Sequence, residues 1–114
     1  MLTIDKLKAF GADTDEGLAR CCGSEALYLR LVNMLPDDNN FEALEKSLTA
    51  GDLNAAFEAA HALKGILGNL SLTPMYELCS HITELLRSRT EADCSALVSE
   101  LLAQRDALRT LCAE

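Results

Sequence analysis

The amino-acid sequence predicts an all-α protein: an antiparallel, up-down four-helix bundle with short additional helices at the N-terminus. Three observations carry that expectation. Hydrophobic residues make up 49% of the chain but aromatic ones only 4%, with no Trp, so the core must be Leu and Ala packed in layers. Strands would want more Val, Ile, Tyr and Thr in alternation. Apolar residues instead recur three and four apart over long stretches, the period of a helix with one buried face. Gly, Pro and capping side chains punctuate those stretches where helices should start and stop. At 114 residues the chain forms a single domain, residues 1–114, with room for one core and not for two.

The elements follow in order. A short amphipathic segment from about Thr3 to Phe10, stopped by Gly11, lies across one end of the bundle. Asp13 to Cys22 forms a second brief helix, with Asp13, Asp15 and Glu16 in the first turn, where the helix dipole favours negative charge; Gly23 ends it. Ser24 is the N-cap of a helix running through Leu27, Leu31, Met34 and Leu35, terminated by Pro36 and the polar run Asp37-Asp38-Asn39-Asn40. Phe41, Leu44 and Leu48 place the next helix, which Gly51 closes after Ala50. Asp52 caps a long helix over about residues 53–70, whose core stripe is Leu53, Ala56, Ala60, Leu63, Leu67 and Leu70. Thr73 as N-cap and Pro74 at the first helical position restart the chain into Met75, Leu78, Ile82, Leu85 and Leu86, and that helix fades at Arg87-Ser88-Arg89. Thr90 and Asp93, a loose capping box, open the last helix through Leu97, Leu101, Leu108 and Leu111. Short loops between long helices make neighbours antiparallel.

Composition excludes several functions. A net charge of −8 disfavours nucleic acid and anionic membranes, which need clustered Lys and Arg. No apolar run approaches the roughly 20 residues that span a bilayer, and the start, Met1-Leu2-Thr3-Ile4-Asp5-Lys6, lacks the form of a signal peptide, so a cytoplasmic location is expected. The five Cys, at 21, 22, 79, 94 and 112, show no zinc-ligand spacing and read as reduced thiols serving as small hydrophobes. No metal and no cofactor is implied.

The segment His61-Ala62-Leu63-Lys64-Gly65-Ile66-Leu67-Gly68-Asn69-Leu70 stands apart. On a helix His61, Lys64, Gly65 and Gly68 align as one stripe, and His61 falls about 120° from the centre of the core stripe, at the surface. Each internal Gly costs a helix about 1 kcal/mol against Ala, so something must approach that face closely. An imidazole in water is mostly neutral near pH 7, with a lone pair available as a nucleophile. Lys64 supplies a fixed positive charge one turn away, and Gly65 removes the wall a Cβ would raise. A proton held on Nδ1 would leave Nε2 free to attack, and Glu58 is the nearest candidate in the sequence to accept that proton. His81, without Lys or Gly around it, reads as a plain structural histidine.

The segment resembles the signature of histidine-containing phosphotransfer (HPt) domains, His-x-Leu-Lys-Gly followed by small and apolar residues, matched here by His61, Leu63, Lys64, Gly65, Gly68, Asn69 and Leu70. It departs where Ile66 and Leu67 replace small residues, and where Ser71 stands at a position that is often Gly. The resemblance implies a small helical bundle in which Nε2 of His61 is phosphorylated and Lys64 stabilises the phosphoryl charge. It implies receiver domains as donor and acceptor, docking around Gly65, Gly68, Ala62, Asn69 and Ser71. The receiver would bring the aspartate and Mg²⁺. With no ATP-binding Gly-rich loop, the chain is expected to be a free-standing, monomeric phosphocarrier and not a kinase. Two other classes remain open. One is a scaffold or docking module that binds receivers without carrying phosphate. The other is a metal-binding bundle joining His61 and His81 with nearby Glu.

Overall fold

The computed structural model describes residues 1–88 and 94–114, and the Thr90–Asp93 capping pair lies outside the described residues. Among the described residues the regular structure is helical: α1 (Ile4–Phe10), α2 (Thr14–Arg20), α3 (Glu25–Met34), a single 3-10 turn (Leu35–Asp37), α4 (Asn39–Thr49), α5 (Leu53–Asn69), α6 (Thr73–Arg87) and α7 (Ser95–Ala113). The last four close into a bundle, α4 on α5, α5 on α6, α6 on α7, and α7 back on α4. Links of three residues between α4 and α5, and again between α5 and α6, leave no room for anything but antiparallel neighbours. The ring closes antiparallel too. Arg109, late in α7, donates from Nη2 to the Pro36 carbonyl at 2.7 Å, just ahead of α4, while Val98, early in α7, shares a recess with Leu48 at the end of α4.

Helix starts follow from side-chain caps. Thr3, Asp13, Ser24, Asp38 and Asp52 each accept a hydrogen bond from a first-turn N–H, satisfying a donor that the helix itself leaves orphaned. The ends of α2, α4 and α5 share one geometry, a residue at positive φ beyond the C-cap: Cys22 (55°), Gly51 (75°) and Ser71 (55°). In α5, the N–H of Leu72 bonds the Leu67 carbonyl and that of Ser71 bonds Gly68, the paired bonds of a Schellman cap.

Three sequence expectations shift. The expected Leu27, Leu31, Met34, Leu35 face of α3 is not the buried one; Tyr28, Val32 and Leu35 are buried, while Leu31 and Met34 are 36% and 63% exposed. Two apolar stripes offset by one residue compete on this helix, and Tyr28 decides between them because its hydroxyl finds a buried acceptor, donating to the Leu70 carbonyl at 2.8 Å. Helix α2 ends at Arg20, short of Gly23, because Cys22 takes the left-handed position and the Gly23 N–H reaches back to Leu18 at 2.7 Å. The N-cap of α6 is Leu72, with Thr73 already helical. Leu72 serves two helices at once, its N–H closing α5 and its carbonyl accepting from Tyr76 to open α6.

The bundle core is Phe41 and Leu44 of α4, Ala56, Ala60, Leu63 and Leu67 of α5, Met75, Cys79 and Ile82 of α6, and Leu101 and Leu108 of α7, all fully buried. The N-terminal helices clamp the α5–α6 connection. Besides the Tyr28 bond to Leu70, the Asp13 N–H donates to the Ser71 carbonyl at 2.9 Å and the Ser71 hydroxyl donates to Glu16 Oε1 at 2.9 Å. Gly17 lies flat against Tyr28, where a Cβ would come 2.3 Å from Cζ. The first helix, expected across one end, leads through Gly11 beside Pro74 into α2, whose Asp13 cap and Glu16 bond Ser71 at the α5–α6 connection.

Candidate functional site

Helix α5 divides its faces sharply. Ala56, Ala59, Ala60, Leu63 and Leu67 face the core, and the stripe turned outward carries His61, Ala62 and Gly65 exposed, with Lys64 and Gly68 half-buried. Asn69, the last helical residue, is exposed as well. The helix runs through Gly68 and Asn69 without breaking, so neither is a terminator.

The His61 ring stacks on Phe57, one turn earlier, with centroids 5.7 Å apart and planes 18° from parallel. The guanidinium of Arg87 lies 5.2 Å from the centroid of that same Phe57 ring. Phe57, not Glu58, is therefore the side chain that meets the imidazole. Among the described residues no hydrogen bond joins Glu58 to His61, and the sequence offered no sign of the stacked ring beyond an aromatic four residues away.

The two glycines differ in what surrounds them. A Cβ built on Gly68 would meet Tyr76 at 3.4 Å, so this glycine admits α6 closely. A Cβ on Gly65 would meet nothing within 4 Å. Open space therefore lies where a Gly65 side chain would be, and no internal packing there requires a glycine. Lys64 makes no ion pair among the described residues. Its charge is felt inward at Cys79, where burial pushes the thiol up to about 11, against smaller opposing effects of the Thr83 hydrogen bond and Lys64. Cys79, on α6 with its Sγ 3.3 Å from the Ala60 carbonyl, is a buried core thiol.

His61, Lys64, Gly65, Gly68 and Asn69 line a concavity of about 380 Å³, completed by Ser71, Thr73 and Tyr76 and, from α2, Glu16 and Arg20. Ser71 belongs to its wall rather than to an exposed rim: it is 4% exposed, and its hydroxyl is committed to Glu16. Its backbone takes a positive φ of 55°, a conformation that glycine adopts most readily. A second, more apolar recess adjoins, lined by Leu31, Met34, Ile66, Asn69 and Leu70, and Asn69 borders both. Leu31 and Met34 were legible only as core; the competing Tyr28 stripe was the signal that would have turned them outward.

His81 is exposed on α6 and takes no part in the concavity. Among the described residues no three His, Cys, Asp or Glu side chains come together, so a metal-binding bundle finds no ligand set there. No helix among them is long and apolar enough to cross a membrane. None of the five cysteines is in a disulfide, and Cys21 is buried in the core while Cys22 is exposed.

Fold and site together define a helical bundle with an exposed histidine, His61, on the wall of a concavity. The family model of the Hpt domain matches residues 30–111, most of the chain, and the chain belongs to that family. No curated protein and no solved structure matches it significantly. Hpt domains act in histidine phosphotransfer within phosphorelays and meet receiver domains.

Proposed function

We propose that the chain is a phosphocarrier that accepts a phosphoryl group on Nε2 of His61 from a receiver-domain aspartate and relays it to another receiver, working as a monomer in the cytoplasm. The observation that carries this reading is Gly65: a mid-helix glycine beside an exposed imidazole, with nothing of the protein's own in the space its side chain would fill. In the transfer, the Nε2 lone pair forms the N–P bond as the P–O bond to the aspartate breaks, and that electron pair leaves on the carboxylate. The imidazole needs no base, because its proton rests on Nδ1 throughout. Catalysis is then positioning and charge relief. Phe57 fixes the ring plane by stacking, Lys64 offers a cation not engaged in an ion pair, and Gly65 lets the acyl phosphate come within attack distance. Leu31, Met34 and Ile66 offer the receiver an apolar ledge beside the histidine.

The test is to incubate the chain with a phosphorylated receiver and follow label on the chain. Label that survives alkali, is lost in acid and disappears in His61→Gln is the expected result. A chain that binds the receiver yet stays unlabelled is a docking module, and label indifferent to His61→Gln would overturn the assignment.

A further inference from the structure

The concavity around His61 holds a charged residue that the His61 segment does not contain. Arg20, the last residue of α2, lies upstream of the span the Hpt model matches, yet it shares the wall of the same hollow as His61 and Lys64. Resting on the phosphocarrier reading, we propose that Arg20 is the second cation of the site, seating the phosphoryl oxygens of phospho-His61 opposite Lys64.

Charge and geometry argue for it together. A phosphoryl group on nitrogen brings close to two negative charges near neutral pH, and Lys64 offsets one. Among the described residues Arg20 is the only other Lys or Arg lining the concavity. In a hollow of about 380 Å³, two cations on the lining can both reach a phosphoryl group placed within it. The arginine is also held in place. Its Nε bonds Glu16 Oε1 at 3.4 Å, and the same carboxylate oxygen receives the Ser71 hydroxyl at 2.9 Å. Glu16 thus ties α2 to the end of α5 and fixes where the guanidinium sits. Only Nε is used in that bond, which leaves both Nη groups for the two-pronged contact with phosphate oxygens that a guanidinium makes best. Glu16 keeps its charge and offsets part of that of Arg20, so the contribution proposed for Arg20 lies in its Nη contacts with the phosphoryl oxygens.

Arg20→Gln and Arg20→Lys test it, with three measurements on each. The first is the equilibrium share of phosphoryl group between a receiver and the chain, which Arg20→Gln should shift about tenfold toward the receiver, with Arg20→Lys in between. The second is the ³¹P resonance of phospho-His61, which should move in Arg20→Gln and mostly return in Arg20→Lys, a signature that a merely structural role would not produce. The third is affinity of the unphosphorylated chain for the receiver, which should stay as in wild type. An unchanged phosphoryl equilibrium and ³¹P resonance in Arg20→Gln overturn the proposal while leaving His61 as phosphoacceptor. Loss of receiver affinity alone overturns it in favour of a docking contact. A wild-type chain that takes no label sinks the phosphocarrier reading, and this inference with it.

Discussion

Gly65→Ala should make the protein more stable and less active at once. In mid-helix, Ala is favoured over Gly by about 1 kcal/mol, and at this position no neighbour takes that gain back, since the new methyl group meets nothing within 4 Å. For a domain near 100 residues, 1 kcal/mol raises the melting temperature by about 4–8 °C. The same methyl stands about 5–6 Å from the Cβ of His61, one turn along the stripe, in the space through which a partner's acyl phosphate must pass to reach Nε2. Reacting atoms need to come within about 3–3.5 Å, and a displacement of about 1 Å costs roughly a hundredfold in rate. Transfer from a phosphorylated receiver should fall at least tenfold in Gly65→Ala and further in Gly65→Leu. Thermal denaturation followed by circular dichroism, paired with single-turnover transfer, reads both quantities on one sample. Gly68→Ala is the internal comparison, with a smaller stability gain because Tyr76 lies 3.4 Å from the added carbon. A Gly65→Ala protein no more stable than wild type would show that the space is not open, and undiminished transfer in Gly65→Leu would refute close approach at this point.

The same substitution has the opposite sign elsewhere: Gly17→Ala puts a Cβ 2.3 Å from Tyr28 Cζ, and overpacking of about 1–3 kcal/mol outweighs the helix gain, so its melting temperature should fall. High pH should loosen the clamp. Burial, with smaller contributions from Cys21, Asp13 and Glu16, pushes the Tyr28 phenol from 10 up to about 12. The unfolded chain therefore releases that proton first, and the stability gained by keeping Tyr28 neutral is whole below pH 10 and lost as pH rises toward about 12. Cys79, raised from 9 to about 11, acts in the same direction over pH 9 to 11. Tyr28→Phe should start about 1–2 kcal/mol less stable, because the Leu70 carbonyl loses its donor, but should lose stability less steeply between pH 10 and 12. Parallel pH profiles for the two proteins would show that Tyr28 does not titrate as its burial requires.

Much of this architecture is legible in the chain because local chemistry decides it. Ser24, Asp52, Gly11 and Gly51 mark helix ends through caps and positive φ, and these work without tertiary help. The stripe of α5 is equally plain, since Ala56, Ala60, Leu63 and Leu67 leave a single apolar face and put His61 outside it. Where two local answers compete, the sequence alone does not choose. On α3 the Leu27–Leu31–Met34 and Tyr28–Val32–Leu35 stripes have the same period, and the choice is made by a hydrogen bond to Leu70, 42 residues away. Ser71 reads as a small polar rim residue because its left-handed backbone and its bond to Glu16 are both consequences of how α2 meets α5. Arg20 is invisible for the same reason, being brought to His61 by packing and not by spacing.

These non-local contacts converge on one place, and that convergence bears on function. The end of α5 carries a serine in the left-handed region, a conformation costing of order 1 kcal/mol that persists only where surrounding contacts over-determine it. Here they do: Asp13 and Glu16 bond Ser71 from α2 and its cap, Tyr28 bonds Leu70 from α3, and Gly17 lets Tyr28 lie close. The proposed transfer site, one exposed ring and two cations, depends on the relative placement of α2, α5 and α6, because each contributes a wall of the concavity. A bundle of α4 to α7 alone would hold α5 against α6 and leave Arg20 unplaced. Helix α2, upstream of the span matched by the family model, therefore does more than cover one end of the core. It supplies Glu16 and Arg20 to the third wall of the concavity, on which the proposed seating of a phosphoryl group rests.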